Sequence, residues 1–376
     1  MAGTGERLLS IDFWRGFALL TIFVNHVPGN VLDGWTYRNF GVSDAAELFV
    51  LLAGISAAFA YLRGFAPGRR LHTLAKVLMR AFRIYTAHLA LVVMAVVVVG
   101  GFVVLTGDQR MLEWMHLDII TVYPLESVVG IGLLTYQPAY LNVLPLYVVL
   151  LASAPLTLLL ARISLALALA ASIAVYLAAH LARLGLPVWP GAGDWFFNPL
   201  AWQLLFTCGL VIGALIDRGL RSAAHPLLDI LAPAYLVAAM AWALLEYPLT
   251  LDLAPLPAFL WDFDKMNLTL PRLLHVLALV YCVSRLPVEG WLRGGRGQAL
   301  ILIGRHALPV FCLGTVLSLA AQVTRPLLDG AVAFDLVILI VGFFLQWALA
   351  WALEWQRRGQ RPAPREIRTP AAVGGR

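Results

Sequence analysis

Charged and polar side chains interrupt the first apolar stretch at positions that share one helix face. Arg15 and His26 are eleven residues apart, and eleven helical steps make about three turns, with roughly 20° left over and a rise of roughly 16 Å. Asp12 lies one turn before Arg15 and can pair with it. Histidine is the commonest general base, and a packing role is the alternative for His26. Its alignment with the ion pair, beside Asn25, favours a catalytic role.

Two carboxylates begin the next apolar stretch. Asp44 and Glu47 are one helical turn apart, at the depth expected for His26. A carboxylate there could orient the imidazole and stabilise its protonated form. Ser43 or Asp44, with Glu47, also fits a capping box at a helix N-terminus. The pattern leaves both interpretations open.

Further polar residues within or beside apolar stretches are candidate binding residues. Ionisable groups in a membrane helix are costly unless they are paired or face a wet cavity, so each one marks a candidate site. One set of candidates is Arg15, Arg80, Arg83, Arg305 and His306. A second set is Asp12, Asn25, Asn142, Tyr147, Lys265, Asn267, Arg272 and His275. For Arg272 and Arg305, snorkelling to the membrane surface is the alternative.

The elements that must position these residues are membrane helices. Of the 376 residues, 61% are apolar and 13% are charged, whereas soluble domains are about half apolar and a quarter charged. The sequence predicts an all-α integral membrane protein with a bundle of about ten transmembrane helices, in one domain over 1–356. The predicted spans, each about 20 residues long, are 11–28, 44–62, 84–105, 140–161, 163–182, 199–216, 227–245, 270–286, 299–320 and 334–355. We expect an interfacial or re-entrant piece at 119–137 and a disordered basic tail at 357–376.

The distribution of basic residues predicts the orientation. The segment 63–83 holds six basic residues and no acid. If it lies in the cytoplasm, nineteen of the 27 basic residues are inside and both termini are cytoplasmic. The net charge of +6 therefore marks topology, and without a basic stripe interleaved with aromatics we expect no nucleic-acid partner. The three cysteines have neither CxxC spacing nor clustered histidines, so we expect free thiols and no metal site.

Several segments resemble the OpgC family of bacterial inner-membrane acyltransferases, in the family's order. The segments are Ile11–Gly16 with Asn25–Asn30, Asn39–Val50, Asn142–Tyr147, Asn198–Gln203, Asp264–Leu268, Arg272–His275 and Gly304–His306. The Arg15–His26 spacing is similar to the Arg, ten residues and His of the broader superfamily. Leu51–Gly54 and Ala307 depart from the Phe-Leu-Ser-Gly ending and the serine that the family leads us to expect.

The resemblance implies an enzyme of the bacterial cell inner membrane that moves a succinyl group from cytoplasmic succinyl-CoA to hydroxyls of a periplasmic glucan. His26, oriented by Glu47 or Asp44, is expected to deprotonate the hydroxyl or to carry the acyl group itself. The first set of candidates above is then expected to bind the donor, and the second set the acceptor or the transferred group. The donor could instead be acetyl-CoA and the acceptor another envelope polysaccharide. A glycan or lipid transporter and a non-catalytic scaffold are rivals from other classes. The lack of an internal repeat and the ionisable groups in the first two spans favour the enzyme.

Overall fold

The computed structural model describes residues 8–220, 225–245, 253, 255–328 and 331–360. Over these ranges the regular structure is helical, which confirms the predicted all-α class. The helices are α1 (Leu9–Asn25), α2 (Ala45–Tyr61), α3 (Arg70–Thr106), α4 (Arg110–Trp114), α5 (Asp118–Val122), α6 (Pro124–Gly132), α7 (Val143–Ile163), α8 (Leu165–Leu181), α9 (Pro199–Asp217), α10 (Pro226–Leu244), α11 (Leu270–Ser284), α12 (Val288–Arg293), α13 (Gln298–Arg305), α14 (Ala307–Thr324) and α15 (Val332–Gly359). Residues 361–376 of the predicted tail lie outside the described residues.

Seven helical segments in the described part of the chain are long and apolar enough to cross a membrane. They are Ala45–Phe65, Arg70–Thr106, Val143–Ile163, Pro199–Asp217, Pro226–Leu244, Ala307–Leu328 and Val332–Gly359. Two shorter apolar helices, α8 and α11, have 17 and 15 residues, and α1 also has 17. The protein is therefore a helical membrane protein, while the count of ten spans and the cytoplasmic termini stay predictions.

Two helices differ from the predicted spans. Helix α3 begins at Arg70 rather than near residue 84, because Arg and Lys lower hydropathy but are good helix formers. The predicted span 299–320 is two helices, since the chain leaves helical geometry at His306, with φ −109° and ψ 38°. Helix α13 packs against α1, whereas α14 also packs against α3. The bend at His306 lets the two halves meet different neighbours.

The segment 119–137 forms short helices. Helix α5 has five residues and α6 has nine, and Pro124 begins α6. Neither is long enough to cross a bilayer of about 30 Å, since each helical residue adds about 1.5 Å. Instead of spanning the bilayer, this segment lines a cavity with Ile119, Tyr136 and Gln137.

Glycines allow the close helix contacts that hold the centre together. A Cβ on Gly54 would overlap the Phe206 carbonyl oxygen of α9, and one on Gly209 would overlap the Leu51 carbonyl oxygen of α2. Between α1 and α13, a Cβ on Gly304 would overlap the Asp12 carbonyl oxygen. Small residues let helix backbones approach closely in membranes. These contacts set the positions of α1 and α2, which carry most of the candidate site.

Candidate active site

A cavity of about 860 Å³ opens at the end of α1 that carries His26. We call it the His26 cavity. Its wall combines the end of α1 and the start of α2 with loop segments and the short helices between α3 and α7. The aromatic and charged residues that line it include Arg38, Asp44, Arg110, Glu113, Trp114, Tyr136, Tyr140, Asp194, Trp195, Phe196, Phe197, Lys265 and Phe311. Asn142 also lines it, as does Asn25, whose buried Oδ1 has no hydrogen-bond partner among the described residues.

His26 follows the last residue of α1, outside the helix, and its backbone is held in place. Its carbonyl oxygen accepts a 2.5 Å hydrogen bond from Gln322 Nε2, and Gln322 Oε1 accepts one from Trp114 Nε1 at 3.3 Å. The imidazole packs edge-on against Tyr140, with ring centroids 5.1 Å apart. Among the described residues, none hydrogen-bonds either ring nitrogen. The ring is therefore available to a ligand in the cavity.

The electrostatic surroundings favour a neutral His26. Burial lowers the pKa of His26 to about 4, with a further lowering by Lys265, a partial increase from Asp44 and a smaller lowering by Arg38. An imidazole with a lowered pKa is uncharged at neutral pH, and one of its nitrogens can accept a proton. The ring can thus act as a base without first losing a proton.

The two carboxylates of α2 form a capping box. Asp44 Oδ1 accepts the Ala46 amide at 2.8 Å, and Glu47 Oε2 accepts the Asp44 amide at 3.0 Å. Lys265 Nζ pairs with Asp44 at the cavity surface. Behind it, the buried Glu47 Oε1 accepts a 2.7 Å hydrogen bond from Arg272 Nε. Neither carboxylate hydrogen-bonds the His26 ring, so in this structure Asp44 influences His26 only through its charge.

Two other residues predicted at this end support the wall from behind. Asn267 Nδ2 donates to Asp264 Oδ2 at 2.7 Å. His275 is buried, with Nδ1 2.7 Å from Ser43 Oγ, and its ring lies against Gly41. Like Arg272, Asn267 and His275 are outside the cavity lining. Arg272 and His275 join α11 to the start of α2. Asn267 joins the loop before α11 to the start of α9, since its Oδ1 accepts a 3.0 Å hydrogen bond from Asn198 Nδ2.

A second cavity, of about 150 Å³, lies toward the other end of α1. We call it the Arg15 cavity. Arg15, Arg80 and Arg305 bring positive charge to it from α1, α3 and α13. Asp12, a buried residue, lies 3.7 Å from Arg15 and 3.6 Å from Arg305, and so bridges the two guanidinium groups. This arrangement provides arginines that can bind an anion.

The remaining residues predicted for the donor lie near this cavity but outside its lining. His306 Nε2 is 3.1 Å from Glu354 Oε2 on α15. Arg83 is exposed, about one turn after Arg80 on α3. Tyr147, predicted to contact the acceptor or transferred group, lines the Arg15 cavity instead of the His26 cavity.

Several residues that line the Arg15 cavity could not be identified from sequence patterns. Ser56 accepts a hydrogen bond from Arg15, and a hydroxyl inside an apolar stretch is a weak signal for such a role. Phe49 lines the same cavity, and Phe311 lines both cavities. A phenylalanine within an apolar run looks like any other packing residue, so no sequence signal distinguished these two.

The fold and these two cavities define an integral membrane protein with polar sites at opposite ends of one buried helix. The family model described as OpgC protein matches residues 7–358. The chain therefore belongs to the OpgC family, and membership implies an acyltransferase activity. No curated protein matches the chain, and no solved structure matches it.

Proposed function

We propose that this protein is an O-acyltransferase of the bacterial inner membrane, which moves a succinyl group from cytoplasmic succinyl-CoA to hydroxyls of a periplasmic glucan. The observation that carries the proposal is the pairing of two cavities along α1. One is lined by arginines and the other by an imidazole without a hydrogen-bond partner among the described residues. The arginines suit the phosphates of an anionic donor, and the imidazole suits the hydroxyl of a neutral acceptor.

The Arg15 cavity is assigned to the cytoplasmic side. Arg80 extends its lining to α3, and the segment 63–83 is the most basic connection in the sequence. Short loops rich in Arg and Lys stay in the cytoplasm. This orientation places His26 and its cavity toward the periplasm.

The volume of the Arg15 cavity suggests how CoA binds. Pockets that enclose a drug-sized ligand measure about 300–1,000 Å³, so a cavity of about 150 Å³ holds only part of CoA. We assign the phosphates to the arginines at its mouth, including Arg80, with Arg83 just outside. The pantetheine arm then enters between the helices and carries the thioester toward His26, roughly 16 Å further along α1.

The larger cavity suits a carbohydrate. Its aromatic rings offer flat apolar surfaces to sugar rings, and its carboxylates can accept hydrogen bonds from hydroxyls. Trp114 and Trp195 are among these aromatic rings, and Glu113 and Asp194 are among the carboxylates. A glucan hydroxyl that enters here can reach the His26 ring.

Lys265 is the group we assign to the carboxylate of a succinyl donor. Its side chain is 31% exposed and lines the His26 cavity beside Asp44. Its Nζ also lies 5.8 and 5.6 Å from the ring centroids of Phe196 and Phe197. An acetyl group has no carboxylate for this ammonium to bind, so Lys265 would favour succinyl over acetyl.

The chemistry requires one proton acceptor. As the hydroxyl oxygen bonds to the thioester carbonyl carbon, the hydroxyl proton passes to the neutral imidazole of His26. The carbon–sulfur bond then breaks, and the CoA thiolate takes the proton from the imidazolium. In the alternative route His26 attacks the thioester first and forms an acyl-imidazole, which the hydroxyl then cleaves.

The test is acyl transfer by purified protein carrying His26→Ala, with labelled succinyl-CoA and a periplasmic glucan. We expect transfer to fall at least 100-fold, the lower range for losing a general base. His72→Ala, which removes an exposed imidazole on α3, is the matched control and should keep full activity. Full activity in a correctly folded His26→Ala protein would exclude the catalytic role. Movement of glycan across the membrane without thioester cleavage would instead indicate a transporter.

A further inference from the structure

One residue, Phe311, lines both cavities. Phe311, on α14, lines the Arg15 cavity on one side and the His26 cavity on the other. It is 4% exposed, so its ring is packed between the two spaces that it lines. A direct path from the arginines to His26 therefore passes this ring.

Aromatic partners complete the partition. Phe49 of α2 stacks on Phe311, with centroids 6.3 Å apart and planes 29° from parallel. Tyr147 of α7 meets the Phe49 ring edge-on at 6.0 Å. Both Phe49 and Tyr147 line the Arg15 cavity. Side chains from three helices, α2, α7 and α14, therefore meet where the two cavities approach each other.

The bend at His306 places Phe311 in this position. Helix α14 begins at Ala307, and Ala307, Leu308 and Phe311 all line the Arg15 cavity because they share one face at helical spacing. Arg305, the last residue of α13, lines the same cavity. The bend thus presents an anion-binding group and the separating ring to the same space.

We propose that Phe311, stacked on Phe49, is a gate that admits the acyl end of the donor to the His26 cavity and otherwise keeps the thioester away from water. The proposal rests on the proposed function, because it concerns the path of an acyl-CoA. Phe311 is a positioning residue here, since it controls the passage and makes no covalent step. A phenylalanine side chain can open such a passage by changing rotamer, without movement of a helix.

The need for a gate follows from the chemistry of the thioester. The large cavity is open to solvent, and water there can replace the sugar hydroxyl. The water oxygen would bond to the carbonyl carbon while His26 takes its proton, the carbon–sulfur bond would break, and free succinate and CoA would form. A closed partition prevents this loss while no acyl group has been admitted.

The test compares hydrolysis with transfer in purified protein carrying Phe311→Ala, Phe311→Leu or Phe311→Trp. Release of CoA from succinyl-CoA is measured without acceptor, and transfer is measured with glucan. Phe102→Ala removes the same ring from a buried position on α3 outside both cavity linings, and is the matched control. Binding of free CoA is measured for each variant to check the arginine site.

A gate predicts opposite effects of smaller and larger side chains. Phe311→Ala should raise acceptor-independent CoA release several-fold relative to transfer, and Phe311→Leu should raise it less. Phe311→Trp should lower transfer while binding of free CoA stays unchanged. The Phe102→Ala control should keep the wild-type ratio of hydrolysis to transfer even if its stability falls.

Two outcomes distinguish the gate from the function on which it rests. If the wild-type protein transfers succinyl groups and the folded Phe311 variants keep its ratio of hydrolysis to transfer, the gate is overturned and the function stands. If the wild-type protein cleaves no acyl-CoA with any glucan, the proposed function fails, and the gate fails with it. Should Phe311→Ala not fold, Phe311→Leu and Phe311→Trp still decide the question.

Discussion

His26 lies in an environment that keeps its ring neutral and accessible. The chain holds it through the backbone, by Gln322 and by its place at the end of α1, and leaves the ring nitrogens to the cavity. The backbone of His26 therefore has a fixed position, but no side chain among the described residues hydrogen-bonds its ring to orient it. Asp44, the carboxylate whose charge acts on the His26 ring, is engaged with Lys265. Binding of an anionic acyl group at Lys265 would weaken that ion pair and bring the charge of Asp44 to bear on the imidazole.

The pH dependence of transfer follows from the environment of His26. Burial, together with Lys265, lowers its pKa from 6.5 to about 4. The neutral form, which acts as the base, is therefore present above that value and is lost only as the pH falls through it. The kcat/KM for succinyl-CoA, which reports the site before the acyl group binds, should be nearly constant from pH 8 to about 5. A half-maximal kcat/KM near pH 6.5, with the protein still folded, would contradict this environment.

Arg272 and Glu47 form the most deeply buried ion pair of the site. The Glu47 side chain is 0% exposed and that of Arg272 is 11% exposed. Arg272→Gln would leave the carboxylate buried without its cation, a change that typically costs about 3–5 kcal/mol. We expect a clear fall in the midpoint of thermal unfolding in detergent, and partial recovery in the double variant with Glu47→Gln.

The control for this prediction is an exposed ion pair. Arg63 pairs with Asp217 at 2.7 Å, but its side chain is 57% exposed. Arg63→Gln should change stability by about 1 kcal/mol or less. Equal losses of stability in Arg272→Gln and Arg63→Gln would show that the buried Glu47–Arg272 pair contributes no more to stability than the exposed pair.

At the scale of the elements, the site depends on how closely α1, α2, α9 and α13 approach one another. Gly209 of α9 lies directly against the backbone of α2 at Leu51. The start of α2 carries Asp44 and Glu47, so its position fixes one wall of the His26 cavity. A change at this helix contact should therefore affect both stability and activity.

Gly209→Ala tests this contact. The added Cβ would overlap the Leu51 carbonyl oxygen, and overpacking of this kind costs about 1–3 kcal/mol. We expect a lower unfolding midpoint and reduced transfer. Gly101→Ala on α3, where a Cβ meets nothing within 4 Å, is the control and should be neutral or slightly stabilising, because alanine favours helix more than glycine. A Gly209→Ala protein as stable and active as this control would disprove the tight contact.

The sequence was informative where local spacing decides the outcome. The interval from Arg15 to His26 predicted two sites on one helix, and each residue lines a cavity. The partner of Glu47 could not be predicted, because Arg272 is 225 positions away in the sequence and helix packing brings the two together. The bend at His306 was missed for a similar reason. Helices α13 and α14 both pack against α1 and α15, and α14 also packs against α3, but hydropathy continues through the bend without interruption and carries no sign of these contacts.

For the whole molecule, orientation in the membrane determines the direction of acyl flow. Helix α3 has 37 residues, or roughly 55 Å, while the hydrocarbon core is about 30 Å thick. Its basic first turns therefore extend beyond the hydrocarbon. The proposed function requires that end to lie in the cytoplasm.

Single cysteines can check this orientation. In a variant with Cys208, Cys282 and Cys312 changed to serine, His72→Cys should react with a membrane-impermeant maleimide only in inverted vesicles. Ala192→Cys, at the surface of the His26 cavity, should react in intact spheroplasts. Both native positions are exposed in the structure, so reactivity reports the side of the membrane. The reverse pattern would place the arginines in the periplasm and exclude a cytoplasmic donor.

The two separate cavities have a consequence for kinetics. Under the proposed function, donor and acceptor would enter through different mouths on opposite sides of the bilayer, so saturation with one substrate would leave the entrance of the other unobstructed. Free CoA would then compete with succinyl-CoA for the arginines but not with the glucan for the His26 cavity. The rate would follow the product of two independent occupancies, one set by the metabolism of the cytoplasm and the other by the supply of glucan in the periplasm.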